Sequence, residues 1–193
     1  MPRIDIDLNP VTHITTDAIG QPGKRVFYIQ GRKDDQVITL IVEKVQIQTL
    51  ALGVEEFLAE VTRRFPETPE ASGEYDEEVM RIYPPVDPLF RVGELGLAYD
   101  SDSDLAILIA KENATSDAAE EPGEAESGGE AMSGTDEEED NNVVRFWCKR
   151  SQLNAMCRWG LEVSGRGRPI CPYCGQPMDA SGHFCPKRNG HKH

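Results

Sequence analysis

No stretch of the chain approaches the roughly 20 continuous apolar residues that a membrane helix requires. The opening MPRIDIDLNP is acidic and polar, where an export signal would be basic and then apolar. These absences predict a cytoplasmic protein with no membrane contact. The commonest catalytic signatures are missing too: there is no G-x-S-x-G, no P-loop and no G-x-G-x-x-G. That argues against the widespread hydrolases and nucleotide enzymes and leaves only an enzyme of unassigned chemistry as an alternative. Cysteine is scarce, with five in 193 residues, and three of the five fall in the last 23. Such clustering fits metal binding in a reducing compartment better than a disulfide framework.

Positive charge is absent from one long stretch. Residues 112–142 hold twelve acids and no Lys or Arg, whereas residues 143–193 hold nine bases and only two acids, Glu162 and Asp179. The net charge of −14 therefore averages an acidic body, a very acidic middle and a basic tail. Such asymmetry can mark a nucleic-acid or acidic-partner surface. The plainer reading is that loop and tail keep the protein soluble and weakly attract each other. Rich in Ala, Gly, Ser and Glu, 112–142 cannot bury enough apolar surface to order itself and reads as an acidic disordered insertion.

What is present is mostly strand. Ile4–Leu8, Val11–Thr16, Arg25–Gln30 and Val37–Glu43 are rich in β-branched and aromatic residues. Gly20-Gln21-Pro22-Gly23 and Gly31-Arg32-Lys33-Asp34-Asp35 read as turns between them. From Gln46, the residues Ile47, Leu50, Ala51, Val54, Phe57, Leu58, Val61 and Phe65 recur at helical steps until Pro66 stops them. Residues 66–88, with five prolines, read as an extended connection. Phe90–Tyr99 and Leu105–Lys111 form a second hairpin, and Val143–Cys148 a further strand. A second helix has Ser151 as its expected N-cap and Leu153, Met156, Cys157 and Leu161 on one side. Glu43–Ile47 and Lys149–Leu153 echo each other faintly. The expected fold is α+β: an antiparallel sheet of about 5–7 strands covered by two helices, over residues 1–165, with a zinc-binding tail at 166–193.

That tail carries the strongest signal. It reads Cys171-Pro-Tyr-Cys174-Gly, and ten residues after that glycine comes Cys185 within His183-Phe-Cys185-Pro. Two residues between thiolates let both sulfurs reach one ion at about 2.3 Å. The following glycine lets the chain reverse with amides aimed at the sulfurs. A tetrahedral ion needs a fourth ligand, and the tail offers His183 or His191. His183 would face the same way as Cys185 on a strand, and His191 is the alternative. The metal ligands expected are thus Cys171, Cys174, His183 and Cys185 around one structural Zn2+, with no catalytic residue. A redox dithiol would need a strand-to-helix setting, and this pair sits among prolines and glycines.

Other constellations have plainer explanations. Asp100-x-Asp102-x-Asp104 lacks the glycine and glutamate of a calcium loop, since Leu105 and Lys111 stand there, and a hairpin turn accounts for it. Cys148 and Cys157 lie in apolar patterns, where free cysteine acts as a small hydrophobe. His13 has no partner at metal or triad spacing. A nucleic-acid reading would place Arg158, Arg166, Arg168, Lys187 and Arg188 on phosphates, with Trp159 or Tyr173 stacking. An enzyme would have to draw on Glu43, Lys44 or Asp100.

Taken together, QPGKRVFYIQ, VEKVQIQTLA, FRVGELGLAYD and GRPICPYCGQPMDASGHFCPKRNGH resemble the bacterial domain-of-unknown-function family numbered 3090, over nearly the whole chain. Cys171, Cys174, His183 and Cys185 sit at that family's matching tail positions, and the long acidic insertion departs from shorter members. The resemblance implies no established activity. Members tend to be encoded beside a phosphoglycerate-mutase-like protein and one resembling phosphoinositide kinases. This implies an accessory role in a phosphate-related pathway, with the kinase-like or phosphomutase-like neighbour as protein partner.

Overall fold

Strands form where β-branched and apolar residues alternate. The computed structural model, which describes residues 3–113, 141–178 and 183–188, contains seven of them. They are β1 (Asp5–Leu8), β2 (His13–Ile19), β3 (Val26–Lys33), β4 (Gln36–Val42), β5 (Pro88–Asp100), β6 (Leu105–Glu112) and β7 (Val143–Lys149). Helix α1 (Lys44–Arg64) follows β4, and α2 (Arg150–Gly165) follows β7. One sheet takes all seven strands in the order β1-β7-β6-β5-β4-β3-β2. The fold is α+β as expected, but the sheet is mixed, because β1/β7 and β4/β5 pair in parallel. Short turns force antiparallel pairing within β2-β3-β4, whereas β4 reaches β5 through α1 and residues 65–87. A crossover of that length permits a parallel neighbour.

The elements β2-β3-β4-α1 and β5-β6-β7-α2 repeat one order with the same strand senses. The echo between 43–47 and 149–153 lies at the matching strand-to-helix steps. Gln46 Oε1 accepts from the Glu43 N–H at 2.8 Å, and Gln152 Oε1 from the Lys149 N–H at 2.9 Å. The N-cap of α2 is therefore Lys149 and not Ser151, since the glutamine satisfies the first free amide two residues earlier.

The sheet curls. In its strand order β7 and β3 lie four spacings apart, about 19 Å if flat. Yet a Cβ added to Gly31 on β3 would sit 2.3 Å from Cδ1 of Phe146 on β7. The residues just before β2 stitch the two together, with Val11 N donating to Trp147 O at 2.8 Å and Thr12 N to Arg32 O at 2.7 Å. Gly31 is thus buried strand, not turn; the turn is Asp34-Asp35 alone, with Asp34 at φ +50°. Leu8, Ile29, Leu40, Leu108 and Phe146 fill the concave side. The helices cover it with Ile47, Leu50 and Val54 from α1 and with Leu153, Met156 and Trp159 from α2. This burial is the main favourable term for the body.

The connection 66–88 is not loose. Ahead of it α1 stops at Arg64, with Phe65 as its C-cap. Arg150 Nη1 then donates to Pro69 O and Asn154 Nδ2 to Ala71 O. Further along, Thr15 Oγ1 donates to Met80 O, and Gln30 exchanges hydrogen bonds with Tyr83 through both O and N. Thr15, Gln30 and Thr39 form one buried polar row across β2, β3 and β4, and the connection satisfies it. The acidic stretch 114–140 lies outside the described residues. Its flanks meet, however: Glu112 N donates to Asn142 O at 2.9 Å and Asn142 Nδ2 to Glu112 Oε2 at 2.6 Å.

Candidate metal centre

After α2 the chain makes a tight two-sided turn. Ile170 bridges Pro177, Cys171 N donates to Gln176 O at 2.8 Å, Gly175 N to Cys171 O at 2.9 Å and Met178 N to Pro169 O at 2.8 Å. Gly175 adopts φ +75°, the left-handed region that favours glycine. That reversal turns the amides of Tyr173 and Cys174 onto Cys171 Sγ. The Cys174 amide leads in holding this thiol down, to about 6. Cys185, which enters the short 3-10 turn Pro186–Arg188, is shifted upward, first by burial.

The structure brings Cys171, Cys174, His183 and Cys185 together. Their donor atoms all lie within 4.8 Å of one another. Cys171 Sγ is 3.8 Å from Cys185 Sγ, and Cys174 Sγ is 3.3 Å from His183 Nε2. A disulfide would need about 2.05 Å, and these thiols are free. Cys171, His183 and Cys185 are buried and Cys174 is half-buried. The four residues are positioned to bind a metal ion. His191, the alternative ligand, lies outside the described residues.

Neither the residues named for an enzyme nor those named for nucleic acid come together as a set. Glu43 caps the N-terminus of α1 and pairs with Arg91. Gln46, one turn into α1, donates to Gly93 O at 3.2 Å, whereas Asp100 ends the same strand seven residues on, about 23 Å away. Asp100 accepts from Asp102 N within its turn, and Asp104 is taken up by Tyr99 and Arg150. Burial pushes the Cys148 and Cys157 thiols up to about 12, which makes them unreactive. His13 is half-buried, and the same burial, with Arg32 nearby, moves it below its ordinary range. Trp159 is fully buried under Arg81, Arg166 and Tyr75 and offers no face to a base, unlike Tyr173, which is 51% exposed. Arg166 is held by Glu77 and Glu162.

A cluster that sequence reasoning missed lies beside the centre. Arg25, Lys44 and Arg168 share one cleft. They are distant in sequence, and only the turn Gly20–Gly23 hinted that Arg25 would sit at an edge. Among the described residues no helix is long and apolar enough to cross a membrane. Nothing among the curated proteins or the solved structures matches the chain. The model of one family, described as protein of unknown function, DUF3090, matches residues 6–185, which take in β2 to β7, both helices and all four donors, and the chain belongs to that family.

Proposed function

We propose that Cys171, Cys174, His183 and Cys185 hold one structural zinc ion and that the protein is a non-catalytic accessory which binds a protein partner in a phosphate-related pathway. The observation that carries the metal reading is the geometry of the donors. Zinc–sulfur bonds of about 2.3 Å at tetrahedral angles place two sulfurs about 3.8 Å apart, and Cys171 and Cys185 stand at 3.8 Å. Three thiolates and one imidazole form a donor set that suits zinc. Four protein ligands leave a tetrahedral ion no position for water, and that is the form of a structural site. When bound, the ion would supply the folding energy that the tail cannot draw from a core of its own.

Support for a partner comes from the outer surface of the same tail. Ile170, Tyr173 and Phe184 are exposed there, with Phe184 at 68%. Exposed aromatic and apolar side chains around a rigid turn suit a protein contact. The kinase-like and phosphomutase-like neighbours are the partners in view. Two measurements test the reading. Mass spectrometry of protein purified without added metal should find one zinc per chain, weakened or lost in His183→Ala. Sedimentation of the full chain with each neighbour should show a complex, and no association with either would end the accessory reading.

A further inference from the structure

A cleft of about 450 Å³ lies between the β2–β3 turn, the first turns of α1 and the start of the metal-binding tail. The protein carries −14 overall, yet this cleft is lined by Arg25, Lys44 and Arg168 and by no carboxylate among the described residues. The three cations come from separate places: Arg25 precedes β3, Lys44 opens α1, and Arg168 follows α2. They converge. A Cβ on Gly167 would lie 3.8 Å from Arg25 Nη2 and 4.0 Å from Lys44 Nζ, and a Cβ on Gly23 would lie 3.2 Å from Arg168 Nε. Arg25 and Lys44 thus bring two like charges together, and an anion between them would relieve their repulsion.

Arg25 is fixed in place. Its Nη1 donates to Val163 O at 3.2 Å and its Nη2 to Arg166 O, both at the C-terminal end of α2. Those two bonds use two of five guanidinium donors and leave the rest for a ligand. The Lys44 side chain makes no hydrogen bond or ion pair among the described residues. A second, independent observation points the same way. Ser164 lines the cleft and is 1% exposed, and its Oγ has no hydrogen-bond partner. Buried hydroxyls are nearly always satisfied, and a phosphate oxygen is a fitting acceptor.

The cleft also has an apolar side, formed by Phe27, Leu161, Ile170 and Pro177. Its volume falls in the range of small-molecule sites. The charges gather at one point and do not extend as a track, since Arg166 is already paired with Glu77 and Glu162. That favours a small ligand over a nucleic-acid strand. We propose that this cleft binds a small organic phosphate monoester. Arg25 and Lys44 hold the phosphate at the rim that Arg168 borders, Ser164 donates to one of its oxygens, and the organic part rests on Leu161, Ile170 and Pro177. This site goes beyond the zinc and partner readings, but Arg168, Ile170 and Pro177 of its lining belong to the tail that the zinc reading folds, so it rests on that reading.

The test is calorimetric titration of the full, metal-loaded chain with phenyl phosphate, inorganic phosphate and phenol at low salt, with metal content checked in every sample. The expected result is saturable one-to-one binding of phenyl phosphate, tighter than inorganic phosphate, with phenol not binding. Lys44→Gln, which removes an exposed and unpartnered side chain, should weaken it about tenfold, and Ser164→Ala should weaken it less. Arg64→Gln, at the far end of α1, should leave it unchanged. Absence of saturable phenyl phosphate binding to wild type, or equal binding to Lys44→Gln, would overturn the proposal. So would displacement of phenyl phosphate by a single-stranded oligonucleotide at lower concentration, which would assign the cleft to nucleic acid.

Discussion

Asp104 sits at φ +52° in the β5–β6 turn, and its carboxylate receives Arg150 Nε at 2.8 Å, Arg150 Nη2 at 3.3 Å and Tyr99 Oη at 2.8 Å. Arg150 is buried, and its Nη1 also holds the Pro69 carbonyl. The Arg150 guanidinium, followed by the Tyr99 hydroxyl, keeps the Asp104 carboxyl below its ordinary range. A carboxyl lowered by folding stabilises the native state above its unfolded pKa and loses that contribution as pH falls through the folded value. Asp104→Asn should therefore be less stable than wild type by about 1 kcal/mol near neutrality, a figure held down by the half-exposed carboxylate. The gap should close as the pH falls below about 4. Urea unfolding of both proteins across pH checks this, and a gap independent of pH would contradict it. The aspartate triplet was legible as a turn. Its partner was not, because Arg150 lies 46 residues on and only the return of β7 beside β6 brings it near.

Two helices that share a strand-to-helix entry were unequally legible. The stripe of α1 is buried at Ile47, Leu50, Ala51, Val54, Leu58 and Val61 as its spacing indicates, whereas Phe57 is half-buried and Phe65, at the C-cap, is exposed. In α2 the face Leu153, Met156 and Cys157 continues at Gly160 and Val163, so Leu161 is 45% exposed, and Trp159, expected only as a stacking residue, is buried. The pattern broke because a glycine holds the central position of the stripe. Space requires it: a Cβ on Gly160 would lie 2.7 Å from Thr16 Cγ2 and 2.8 Å from Ile47 Cγ2, where α2 crosses β2 and α1. Gly160→Ala should cost about 1–3 kcal/mol through overpacking. Gly53→Ala, with nothing within 4 Å of the new carbon, should instead gain up to about 1 kcal/mol from helix propensity. Denaturant midpoints of the two variants should move in opposite directions. A neutral Gly160→Ala would mean that the helices are free to separate.

At the scale of the molecule, strand identity was readable but pairing was not. Nothing local to Asp5–Leu8 says that it will lie parallel to Val143–Phe146, nor that the sheet will curl until Phe146 covers Gly31. The polar row Thr15, Gln30 and Thr39 likewise gives no hint that a proline-rich segment will cover it. The flanks of 114–140 are bonded to each other through Glu112 and Asn142. Replacing 114–140 by a short Gly/Ser turn should therefore leave the melting temperature within a few degrees of wild type. A large loss measured by calorimetry would show that the segment supports the body. The tail was the most legible part, because ligand chemistry dictates both residue type and spacing there. Its donor geometry is the ground for the central claim, and X-ray absorption at the zinc edge tests it most directly. The account predicts three sulfurs at about 2.3 Å and one nitrogen at about 2.0–2.1 Å, with no oxygen. Fewer than three sulfurs, or an oxygen that exchanges with solvent, would contradict a closed structural site.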